Sequence, residues 1–79
     1  MNVYELSPAA LRALNEMRED YWFEDGPAFL DDVLDVLQHF CELTPAERQL
    51  RQELEAMPPL ARASMSRAIR AARATTAAG

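Results

Sequence analysis

Apolar residues recur at three- and four-residue spacing along most of this chain, and that period predicts helices. After Gly26-Pro27, the positions Phe29, Leu30, Val33, Leu34, Val36, Leu37, Phe40 and Cys41 share one side of a helix. Asp31, Asp32, Asp35, Gln38, His39 and Glu42 fill the other side. This second helix is expected to be the centre of the core. Before it, Ser7-Pro8 offers an N-cap followed by proline at the first helical position, with Leu6 and Leu11 placed as a hydrophobic staple. Helix 1 should run from about Pro8 to Tyr21 on a narrow stripe of Leu11, Leu14, Met17/Arg18 and Tyr21.

Thr44-Pro45-Ala46-Glu47 has the form of a capping box, in which hydroxyl and carboxylate each satisfy an amide that the helix leaves unpaired. Helix 3 should continue to about Met57 on a thin apolar set, Leu50, Leu54 and Met57, and stop at Pro58-Pro59. Helix 4 is predicted from about Leu60 to Arg73. Only MNVYEL could hold even a short strand. The expectation is therefore all-α, a small bundle of three to four short helices in one domain over residues 1–74, with a frayed tail at 75–79. Of the large apolar residues, 19 fall in residues 1–43 and six in residues 44–79, so helices 3 and 4 look under-supplied. Either alanine-rich faces pack closely on helix 2, or a second copy completes the bundle as a homodimer.

Length and cysteine usage sharpen this picture. A chain of 79 residues lies near the lower limit of what folds alone, and a single cysteine, Cys41, rules out an internal disulfide staple. No run approaches the roughly 18 uncharged apolar residues of a membrane span, and MNVYELSPAALRAL lacks a basic region followed by an apolar one. Neither membrane insertion nor export is expected; the chain reads as cytoplasmic.

Charge divides the chain. Residues 1–42 carry ten carboxylates and two arginines, residues 43–79 three glutamates and six arginines, within a total of −5. The stretch EDYWFED, residues 19–25, sets three aromatic rings between pairs of carboxylates. Successive side chains on a helix turn by about 100°, so Tyr21, Trp22 and Phe23 cannot all face one core. Tyr21 continues the helix 1 stripe; Trp22 and Phe23 either plug the end of the helix 1/helix 2 pair or anchor a partner. On the second reading Trp22, Phe23, Glu19, Asp20, Glu24, Asp25, Asp31, Asp32 and Asp35 form a surface for a protein with a basic rim.

Catalytic chemistry finds little to work with. Cys41 and His39, two residues apart on a helix, diverge by roughly 200° and cannot pair as nucleophile and base. Cys41 is expected in the core, and His39 on the polar face beside Asp35. No zinc or calcium spacing is present. No catalytic residue, metal or cofactor is assigned. On helix 4, Arg62, Arg67, Arg70 and Arg73 fall within an arc of about 140°, next to an apolar face of Ala61, Met65, Ala68, Ile69 and Ala72. Ser64-Met65-Ser66-Arg67-Ala68-Ile69 weakly resembles the end of a helix-turn-helix recognition helix, but Pro58-Pro59 and Leu60-Ala61-Arg62-Ala63 replace the turn such a motif has. Two functions are weighed. The first is a non-enzymatic regulator or inhibitor that binds another protein, of phage or mobile-element type and aimed at a nucleic-acid-handling or defence complex. The second is a small dimeric DNA-binding transcriptional regulator that uses the arginines of helix 4.

Overall fold

The computed structural model describes residues 5–24 and 26–78, with side chains as far as Ala72. Four helices follow one another, α1 (Pro8–Asp20), α2 (Phe29–His39), α3 (Pro45–Ala56) and α4 (Pro59–Ala78), and no strand occurs among the described residues. The fold is a small all-α bundle. Most of MNVYEL lies outside the described residues, and Glu5 and Leu6 are not in a strand.

Two helix starts are built as their sequences dictate. The Ser7 hydroxyl accepts the Ala10 amide at 3.2 Å, and Thr44 and Glu47 complete the reciprocal capping box, with bonds of 3.1 and 2.8 Å. Ends differ more from expectation. Helix α1 stops at Asp20, and Tyr21 is extended (φ −128°, ψ 148°). Helix α2 stops at His39, so Cys41, expected in the core, lies exposed outside the helix. The cause is local: Thr44 must be extended both as the N-cap of α3 and as the residue before Pro45. The chain between Phe40 and Leu43 is therefore needed for the turn. Helix α4 is continuous to Ala78, beyond the Arg73 end expected for it.

The apolar set of α3 is thin but fully used. Leu50, Leu54 and Met57 are all buried, and α3 packs against both α1 and α2, while α4 packs on α2. The core is thus centred on α2 and α3, and α1 reaches it mainly through α3. The buried face of α1 is Ala10, Ala13, Leu14 and Met17. It is turned by roughly 50° from the expected stripe, leaving Leu11 44% and Tyr21 46% exposed. Small side chains at Ala10 and Ala13 admit the neighbouring backbone closely, and one polar contact fixes the register. The Glu53 carboxylate of α3 accepts the Ser7 amide at 2.8 Å and the Ser7 hydroxyl at 2.6 Å. Gln49 donates to the same carboxylate at 2.6 Å. Ser7 is thereby both the cap of α1 and its tie to α3.

This tie makes stability depend on acid. Partial burial alone raises the pKa of Glu53, but the bonds from Ser7 and Gln49 outweigh it and hold the carboxyl below its ordinary 4.5. A carboxylate with a lowered folded-state pKa contributes stability that is present above the unfolded value and lost as pH falls through the folded one. Glu53→Gln is therefore expected to flatten the loss of stability below about pH 4.5. Urea melts at stepped pH test this; parallel acid limbs in the two proteins would show that Ser7 and Glu53 are not coupled.

Candidate functional site

The connector after α1 resolves the aromatic triplet. Successive side chains on extended backbone point to opposite sides. Tyr21 and Phe23 share one side, their ring centroids 6.4 Å apart, and Trp22 takes the other. Tyr21 lies 5.9 Å from Phe40, and Phe23 meets Phe29 edge-on at 5.8 Å. The Arg18 guanidinium covers Phe29 at 5.6 Å. These rings close one end of the bundle. Trp22, by contrast, is 85% exposed. Phe23, expected either as a plug or as part of the contact, packs on the core, while Trp22 stands in solvent.

Exposed carboxylates accompany Trp22 on the same segment at Glu19, Asp20 and Glu24; Asp25 lies outside the described residues. On α2, Asp32 and Asp35 are exposed, but Asp31 is engaged within the fold. Its carboxylate accepts Arg62 Nε at 2.5 Å, and Arg62 Nη1 donates to the carbonyls of Leu54 and Met57 at 2.9 and 2.7 Å. The Arg62 side chain is only 15% exposed. Pro58 and Pro59 carry no N–H to offer the last carbonyls of α3; the Leu54 carbonyl accepts the Met57 amide at 3.2 Å, and the guanidinium adds a second donor there and one to the Met57 carbonyl. Arg62 is thus committed to the fold and is not presented with the other arginines.

Ser66 has a comparable role that charge and periodicity did not reveal. It is completely buried. Its hydroxyl donates to the Arg62 carbonyl at 2.8 Å and accepts the Leu30 amide at 3.0 Å. Helix α2 has no side-chain cap of its own, because Ala28 stands at its N-cap. Ser66 provides one from α4. With Arg62 and Ser66 turned inward beside Ala61, Met65 and Ile69, the packed face of α4 is rotated by roughly 50° from the expected one, and Ala68 and Ala72 are exposed.

Arg67 and Arg70 remain exposed, and among the described residues neither has an ion-pair partner. They line an open cleft of about 370 Å³ with Gly26, Pro27 and Ala71. The side chain of Arg73 lies outside the described residues. His39 stands on the polar face as expected, with Nδ1 2.7 Å from the Asp35 carbonyl oxygen. Cys41 lies beside Phe40, Glu42, Leu43, Arg48 and Arg51 in a second open depression. Among the described residues no group of three or more His, Cys, Asp or Glu side chains is placed to hold a metal ion. No described helix is long and apolar enough to cross a membrane.

Comparison of the chain with protein-family models, with curated proteins and with solved structures returned no match. The surface features carry the functional argument by themselves: one exposed indole with carboxylates around it, and a separate pair of exposed arginines.

Proposed function

We propose that this chain is a non-enzymatic interaction protein that regulates or inhibits another protein by docking Trp22 into an apolar pocket with a basic rim. The observation that carries the reading is the 85% exposure of Trp22, beside a Phe23 ring that packs on the core and a half-exposed Tyr21 that lies against Phe23 and Phe40. An indole left in water next to a closed aromatic cluster contributes nothing to folding, whereas tryptophan is among the residues that dominate interface energies. Glu19, Asp20 and Glu24 supply the charge that selects a basic rim. Asp32 and Asp35 extend it. In this reading the partner is a cytoplasmic, nucleic-acid-handling complex, whose basic grooves suit an acidic ligand, and a phage or mobile element is a fitting source.

The test is affinity capture with the tagged chain and with Trp22→Ala, each with and without nuclease. Capture of a defined protein that survives nuclease and falls at least about tenfold for Trp22→Ala, with helical circular dichroism unchanged, supports the reading. Equal capture by both chains removes Trp22 as the anchor. Exposed Arg67 and Arg70 favour one alternative, a dimeric DNA-binding regulator. That alternative predicts nuclease-sensitive recovery and binding that weakens steeply with salt.

A further inference from the structure

The same molecule holds both halves of a contact. Trp22 calls for an apolar recess with basic side chains beside it, and the open cleft lined by Gly26, Pro27, Ala71, Arg67 and Arg70 has that composition. Its volume, about 370 Å³, lies in the range of recesses that hold ligands, roughly 300–1,000 Å³. We infer that this cleft seats Trp22 of a second copy, with Arg67 and Arg70 facing that copy's Glu19, Asp20 and Glu24. The inference rests on Trp22 being an anchor and names an occupant for the cleft.

Chain geometry suits a two-fold pairing. Four peptide steps join Trp22 to Gly26, so their Cα atoms lie within about 14 Å of each other. Anchor and cleft are therefore neighbours, as an isologous interface requires, since each copy must give the element that it receives. Charge is complementary as well. Two arginines without ion-pair partners among the described residues meet exposed carboxylates at the end of α1, Glu19 and Asp20, and on the connector, Glu24. The total of −5 on each chain opposes association at long range, so the dimer belongs to the weak, transient class. Pairing also covers Trp22. Self-association and capture of an outside partner then compete for one indole, and protein concentration sets which prevails.

Sedimentation equilibrium on the full chain at low salt provides the test, with Trp22→Ala, Arg67→Glu/Arg70→Glu and Glu19→Arg/Glu24→Arg as variants at exposed positions whose helicity is checked by circular dichroism. The wild type is expected to show a reversible monomer–dimer equilibrium that weakens with salt. Each charge-reversed variant alone should lose at least about tenfold in dimer affinity, because like charges then face each other. An equimolar mixture of the two should recover it as a heterodimer. Trp22→Ala should weaken dimerisation by about 30-fold. A wild type that is monomeric throughout, or a dimer indifferent to Arg67 and Arg70, overturns the inference. A chain that fails these tests yet still captures an outside protein through Trp22 loses the dimer and keeps the proposed function. If the dimer holds while no outside protein depends on Trp22, the converse applies.

Discussion

Truncating Leu54 to alanine is expected to cost about 2–5 kcal/mol, the range for emptying a fully buried leucine site. Leu54 is completely inaccessible and lies on the helix that contacts both α1 and α2, so neither neighbour can close the void without leaving the other. Chains of this length have total stabilities of roughly 4–12 kcal/mol, which makes a single leucine a large share of the whole. Denaturant unfolding should show a lowered midpoint at an unchanged slope. Leu60→Ala provides the comparison: Leu60 is as exposed as Trp22, and its removal should shift stability by no more than about 0.5 kcal/mol. Equal shifts at the two positions would mean that α3 does not organise the core.

Arg62→Ala is expected to be nearly as damaging, by about 2–4 kcal/mol, for a different reason. Its guanidinium serves the Leu54 and Met57 carbonyls and the Asp31 carboxylate together. Removing it leaves acceptors at the end of α3 with fewer donors, and hydrogen bonds to charged groups contribute about 1.5–3 kcal/mol each. The ion pair itself counts for less. Asp31 is about half exposed, and pairs open to solvent contribute about 0–1 kcal/mol. Asp31→Asn should therefore cost under about 1 kcal/mol, and Arg62→Lys should recover only part of the loss, because an ammonium lacks the planar fork. If Asp31→Asn and Arg62→Ala proved equally costly, the salt bridge rather than the carbonyl contacts would be the source of the effect.

Residues 56–79 hold four arginines and no acid, and sequence alone groups Arg62 with Arg67, Arg70 and Arg73. What separates it is a shortage elsewhere. Two prolines after α3 and an alanine at the N-cap of α2 announce that proline N–H donors are missing at the one end and a side-chain cap at the other. Those deficits are legible along the chain. Which residues fill them is not, because Arg62 and Ser66 come from another helix and only the packing of α4 brings them near. Where the signal is local, as at Ser7-Pro8 and Thr44-Pro45-Ala46-Glu47, the helix starts stand where the chain indicates. The stripes of α1 and α4 were harder to read, since alanine contributes little to an apolar pattern but much to close approach. Cys41 followed the helical period on paper, yet the following N-cap required the chain to leave the helix first.

The aromatic triplet shows a related limit. Helical geometry separates Tyr21 from Trp22 and Phe23, but an extended connector pairs Tyr21 with Phe23 and turns Trp22 outward. The question of which ring is free was decided by where α1 ends, a matter of two residues. The sequence drew attention to the segment; that Phe23 packs on the core while Trp22 is exposed is seen only in the structure.

Trp22 is the only tryptophan in the chain, and its exposure has a spectroscopic consequence. An indole already surrounded by water emits at long wavelength before unfolding as well as after it, so intrinsic fluorescence is a poor reporter of this protein's denaturation. The same property makes it a clean reporter of contact. Any blue shift of the emission, or any protection from a soluble quencher such as iodide, signals that Trp22 has left water for an apolar recess, with little background from the fold itself.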